Sequence, residues 1–114
     1  MNKEDKHIGK QLQGVRKLRL EDGREVEVFF SFNAMIELID RHGSLKAIFS
    51  EFEKGEEMDF NVFLDFLYEG VKTRNKEMTK EELGDNLDFF KLGDYVSNVF
   101  GVMKDNLPSD AKDQ

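Results

Sequence analysis

Cysteine and tryptophan are absent from this chain of 114 residues, proline occurs once and histidine twice. Without cysteine there is no disulfide, no thiolate nucleophile, no iron–sulfur cluster and no cysteine-ligated zinc. The same absence fits a reducing compartment. Long apolar runs are missing as well: the longest are two or three residues, as at Phe29–Phe30 and Phe66–Leu67–Tyr68. A membrane-spanning helix needs about 20 apolar residues in succession, so none is expected. The amino-terminal MNKEDKHIGKQ has no apolar stretch behind its charges, which excludes a secretory signal there. What the chain does have is 39% hydrophobic and 36% charged residues, with 11 phenylalanines. That balance describes a soluble folded chain, and the length provides for one core rather than two.

The net charge of −7 is unevenly spread. Through Arg24 there are seven basic and four acidic residues, and from Glu25 onward ten basic and twenty acidic. Nucleic-acid binding draws most of its affinity from Lys and Arg neutralising phosphates. Most of this chain would repel such a backbone, so nucleic acid is not an expected partner.

Residues 1–11 are polar and without period, and are read as a flexible leader. From there the sequence organises as one domain over 12–106, with a polar tail at 107–114. Arg24-Glu25-Val26-Glu27-Val28-Phe29-Phe30-Ser31-Phe32 alternates, placing Val26, Val28, Phe30 and Phe32 on one face. With the preceding Lys17-Leu18-Arg19-Leu20 it forms a hairpin. A two-residue Asp22-Gly23 turn would set Leu18 opposite Glu27 and Leu20 opposite Glu25. A three-residue Glu21-Asp22-Gly23 loop, with Gly23 left-handed, instead sets Leu18 opposite Val26 and pairs Arg19 with Glu25 and Lys17 with Glu27. Only this register suits both faces.

The rest of the chain is helical in pattern. Asn33 can cap a helix with Met35, Ile36 and Ile39 inward and Leu38 beside them, ending at Gly43. Ser44 can cap the next, with Leu45, Ile48, Phe49 and Phe52 at three-four spacing and Gly55 closing it. Asp59 or Asn61 begins a third, whose Phe60, Phe63, Leu64, Phe66, Leu67, Tyr68 and Val71 cover more than half its circumference. That helix is expected at the centre of the fold. Thr79 and Glu82 make a capping box for a short helix through Leu83. A last helix, from about Asp88 to Asp105, carries Phe89, Leu92, Val96, Val99, Phe100 and Met103. An isolated hairpin is marginal in water, so the expected fold is α+β: an amino-terminal β-hairpin packed on a bundle of four to five helices.

Chemistry is sparse in this pattern. His7 lies in the leader, and His42 sits at a helix end, where a cation meets the carbonyl dipole favourably. Gly43, Gly55 and Gly70 are too far apart for a phosphate loop. The stretch from Glu51 to Val62 resembles half an EF-hand. However, Glu56 stands where the loop needs glycine and Val62 where it needs the bidentate carboxylate. No catalytic residue, metal ligand or cofactor is expected, and the chain is read as a non-enzyme. The candidate partner-binding residues are aromatic or apolar. The Phe29–Phe30 and Phe89–Phe90 pairs each place a ring off the core face. Phe29 falls with Val15 on the charged side of the hairpin, and Phe89 and Phe90 add to an apolar patch rimmed by charge. The hairpin edge is a second candidate, as a template for strand addition by a partner or a second copy.

The order of these elements resembles the small tail assembly chaperones of long-tailed, siphovirus-type bacteriophages and prophages. In that family a short β element precedes F-x-F-x-A-x-x-x-L, matched by Phe30, Phe32, Ala34 and Leu38. A central L-L-Y-x-G-L is approximated by Phe66, Leu67, Tyr68, Gly70 and Val71. An acidic T-x-E-E-[LV] box is matched by Thr79, Glu81, Glu82 and Leu83. The resemblance runs over residues 16 to 105. It implies a non-enzymatic protein in the cytoplasm of the bacterial host, which coats the apolar helices of the tape measure protein and helps recruit tail tube subunits. The alternative is a small acidic adaptor or regulator of phage or prophage origin.

Overall fold

The computed structural model describes residues 16–106. The expected leader and tail, and Val15, lie outside the described residues. Strands β1 (Arg16–Arg19) and β2 (Glu25–Val28) form an antiparallel hairpin. Five α-helices follow: α1 (Phe32–His42), α2 (Leu45–Phe52), α3 (Phe60–Lys72), α4 (Lys80–Asp85) and α5 (Leu92–Asn106). Single 3-10 turns at Gly55–Glu57 and Phe89–Lys91 precede α3 and α5. The architecture is the expected α+β arrangement of a hairpin on a helical bundle.

The hairpin has the register that satisfies both faces. Leu18 pairs with Val26, Arg19 with Glu25 and Lys17 with Glu27. Gly23 takes φ 96°, a left-handed value that a side chain would strain, and its N–H donates to the Leu20 carbonyl at 3.0 Å. Leu18, Leu20, Val26, Val28 and Phe30 are buried, which makes one side of the ribbon part of the core. Its outer margin is partly occupied by α3. The Phe29 N–H donates to the Gly70 carbonyl at 2.7 Å, and Asn75 Nδ2 donates to the Glu27 carbonyl at 3.0 Å. Gly70 lies in the last turn of α3, where carbonyls lack intrahelical partners, so strand and helix end satisfy each other.

The caps explain where helices begin. Ser44 Oγ accepts from the Ala47 N–H at 3.0 Å, Asp59 Oδ1 from the Asn61 N–H at 2.9 Å, and Thr79 Oγ1 from the Glu82 N–H at 3.0 Å. At α1 the expectation is corrected. Ser31, not Asn33, is the cap, with Oγ accepting from the Ala34 N–H at 3.1 Å. The chain therefore leaves the extended conformation before Phe32, whose ring no longer follows Val26, Val28 and Phe30 inward. It is 85% exposed. Along α1, Ala34 and Leu38 are buried and Met35 packs against the core, whereas Ile36 and Ile39 face outward. At the other end Phe89 belongs to a 3-10 turn and not to the inward face of α5, which buries Tyr95 and Val99. The Phe100 and Met103 side chains, expected on that face, lie outside the described residues.

α3 is the central element, as its apolar circumference suggests. Phe63, Phe66, Leu67, Gly70 and Val71 are buried along it. Phe66 is the hub: its ring lies 4.7 Å from Phe30 of the hairpin and 5.0 Å, edge-on, from Phe52 of α2. α1, α2, α4 and β2 all pack on α3, and α5 closes against β1. The approach of β2 is closest at Gly70. A Cβ there would stand 2.7 Å from Phe30 Cζ and 2.9 Å from Val28 Cγ1, inside any tolerable contact.

Two stability measurements check this packing. Leu67→Ala, at a fully buried position, should cost about 2–5 kcal/mol in urea denaturation. Gly70→Ala should also destabilise, by about 1–3 kcal/mol from overpacking. In an unpacked helix interior the same change would stabilise by up to about 1 kcal/mol; a gain here would show that the hairpin does not seat on α3 as described.

Candidate functional site

Two constellations stand out, one charged and internal, the other aromatic and exposed. The charged one joins α1 to α3. Asp65 and Glu69 are four residues apart on α3 and therefore on one face, and both are buried although acidic. The last turn of α1 supplies their partners. Arg41 donates from Nε to Asp65 Oδ2 at 3.0 Å, and from one terminal nitrogen to Asp65 Oδ1 at 2.9 Å and Glu69 Oε2 at 2.6 Å. His42 Nε2 donates to Asp65 Oδ2 at 2.7 Å. Lys80 reaches Asp65 at 3.3 Å, and Lys72 reaches Glu69 at 3.1 Å and Glu37 at 3.3 Å. Glu69 Oε1 is buried without a hydrogen-bond partner.

Burial alone would push the Asp65 carboxyl up, but hydrogen bonds from Arg41 and His42 and the charges of Lys80 and Arg41 outweigh it and hold the group at about 2. Arg41 is pushed upward mainly by its hydrogen bond to Asp65. With both its oxygens engaged, Asp65 is an acceptor for neighbouring cations and not a base open to substrate. Among the described residues, no three His, Asp or Glu side chains are placed to hold a metal ion. The EF-hand-like stretch uses its carboxylates locally: Glu51 accepts from Lys54 at 3.0 Å and from the Asp59 N–H. The charged network is thus a tie between helices.

The exposed constellation gathers around the start of α3. Phe60 opens that helix, 41% exposed, and its ring meets Phe89 edge-on at 5.3 Å. Phe89 meets Phe90 at 5.7 Å, and these two rings are 59% and 92% exposed. Asp88 sets the turn that carries them. Its Oδ1 accepts from the Phe90 N–H at 2.9 Å, and its own N–H donates to the Tyr95 hydroxyl at 2.9 Å. Beside the rings a cavity of about 240 Å³ opens to solvent, lined by Phe60, Phe63, Leu64, Leu87, Phe89 and Leu92. The floor comes from α3 and α5, and the wall from the α4–α5 connection. Three neighbouring rings this exposed form a patch, not the scattered apolar residues that any surface carries. The geometry suits an apolar segment of another molecule laid across the rings.

The candidate residues divide. Phe89 and Phe90 come together, with Phe89 lining the groove and Phe90 beside it. Phe29 does not join them. It lies past the far end of α3, half-buried, with the Arg74 guanidinium 4.6 Å from its ring centre, and a 13-residue helix such as α3 is about 20 Å long. Val15 lies outside the described residues. Phe60, expected in the core, is instead the third ring of the groove. A second exposed stripe, Phe32, Ile36 and Ile39, runs along α1. The larger cleft, about 550 Å³, lies between the hairpin and residues 74–78. Its arginines are already committed, Arg24 to Asp22 and Glu82 and Arg74 to Glu27.

No protein-family model, curated protein or solved structure matches the chain. No helix among the described residues is long and apolar enough to cross a membrane.

The Asp65 tie has a definite pH signature. A carboxyl held at about 2 in the folded state, against about 3.9 unfolded, contributes stability above pH 4 that disappears as pH falls toward 2. Asp65→Asn should therefore cost about 3 kcal/mol at pH 7, by stranding its cations. The gap between the two proteins should shrink by about 2 kcal/mol between pH 5 and pH 2, read from urea curves at each pH. A constant gap would mean that the carboxylate is not held by Arg41 and His42.

Proposed function

We propose that this protein is a tail assembly chaperone of a siphovirus-type bacteriophage or prophage. In this role it binds the tape measure protein in the bacterial cytoplasm and assists assembly of the tail tube. The aromatic groove at Phe60, Phe89 and Phe90 carries the reading: its rings are exposed, adjacent and rimmed by charge, as a surface for another chain's apolar segment must be. The order of the sequence motifs supports it, since the F-x-F-x-A positions run from Phe30 into α1, the central motif lies on α3, and the acidic box begins at the cap of α4, all in one packed unit. The acidic balance supports it too, because like charge on the chaperone keeps loaded complexes apart. No bond is made or broken in this role, and no cofactor is needed.

Co-expression with a tape measure protein, followed by pull-down, tests the proposal. Phe89→Ser combined with Phe90→Ser should reduce the captured tape measure protein at least tenfold, as loss of interface aromatics does. Because both rings are more than half exposed, folding stability should change by less than about 1 kcal/mol. Capture unaffected by the double change would remove the groove from the mechanism.

A further inference from the structure

The charge around the aromatic groove is one-sided. Residues 60–64 and 84–95 contribute its lining; together they hold three carboxylates, Asp85, Asp88 and Asp94, and a single base, Lys91, and Asp59 directly precedes the first of them. That base is spent, because Lys91 Nζ lies 2.8 Å from Glu21 Oε2. Asp59, Asp85 and Asp94 flank lining residues and are exposed, and Asp88 is in the lining itself. The apolar lining is thus bordered along the chain by exposed carboxylates, and the one base among them is paired with Glu21. The cavity volume, about 240 Å³, is below the roughly 300–1,000 Å³ of sites that enclose a small molecule. It takes one or two side chains of a longer segment, whose flanks then lie over the carboxylates.

We infer that the occupant is a cationic amphipathic segment, with an apolar face that fills the groove and Lys or Arg on both flanks. This rests on the groove being the partner-binding surface and specifies which apolar segments it accepts. Rim charges select more than they bind: each exposed pair alters affinity by a factor of about 1.4 to 5. Three pairs together amount to about tenfold, and an acidic flank loses a similar factor through repulsion. A long apolar partner would then be held at segments with basic flanks and left free where its flanks are acidic.

Three synthetic peptides of about 15 residues, identical in their apolar face and flanked by Lys, Gln or Glu, test this with the full chain by fluorescence anisotropy. The Lys-flanked peptide should bind at least tenfold more tightly than the Glu-flanked one at low salt. The difference should collapse at about 1 M salt, where the Debye length is about 3 Å. Asp59→Asn, Asp85→Asn and Asp94→Asn together should bring the three affinities within about threefold; Asn at position 59 still caps α3. Phe89→Ser with Phe90→Ser should weaken all three peptides while leaving the charge of the protein unchanged. Equal binding of the three peptides, still dependent on the rings, would overturn the charge inference and leave the groove as the binding surface. Binding of the Lys-flanked peptide that ignores the loss of the rings would overturn both.

Discussion

The fold depends on how closely the hairpin can approach α3, and Gly70 sets that distance. Without a side chain at this position, the Phe30 ring and Val28 lie directly on the helix backbone. The Gly70 carbonyl is then near enough to receive the Phe29 N–H. Phe30 is brought onto Phe66, and Phe66 in turn meets Phe52 of α2. A hairpin this short would not persist alone. Seated here, it supplies five buried apolar side chains to a core that the helices could not close by themselves. α5 then packs on β1, which brings the connection bearing Phe89 and Phe90 back toward the start of α3. The placement of the aromatic groove follows from the seating of the strands.

Polar groups join elements where apolar contact ends. α1 lies over α3 with Ala34 and Leu38 inward, and just beyond them Arg41 and His42 meet Asp65 and Glu69. Buried ion pairs of this kind are an uncertain source of net stability, because desolvation offsets much of the attraction. Their geometry is demanding, however, and that favours one helix register over its neighbours. The unpartnered Glu69 Oε1 fits a role in positioning more than one in stability. Asn75 has a similar function at the other end of α3, bridging the Val71 and Glu27 carbonyls.

What could be read from the sequence was what local chemistry decides. The alternation of Leu18, Leu20, Val26 and Val28, with charges between them, allows one hairpin register, and Ser44, Asp59 and Thr79 have the side chains that begin helices. The start of α1 is ambiguous in sequence because Phe32 continues the strand alternation and Asn33 is as good a cap as Ser31. Only packing on α3 decides which is used and which face of α1 turns inward, here Ala34, Met35 and Leu38. The Asp65–Glu69 pair was illegible for another reason. Two acids four apart on an apolar helix look like repulsion until Arg41, His42 and Lys80 arrive from elsewhere along the chain, beside Lys72 of the same helix. Their presence among so many buried positions was nonetheless a signal. At the groove, Phe89 and Phe90 could be nominated from sequence, since adjacent rings cannot both face one core. Phe60 could not, because its helical spacing matches that of Phe63 and Phe66.

Asp88 holds the turn on both sides, its carboxylate on the Phe90 amide and its own amide on Tyr95. The backbone beneath the rings is therefore already in place before any partner arrives. For a segment docking there under the proposed role, ordering on encounter falls mainly on the incoming chain. In that role, a surface arranged in advance lowers the entropic cost of capture and so strengthens the hold on whatever segment it takes.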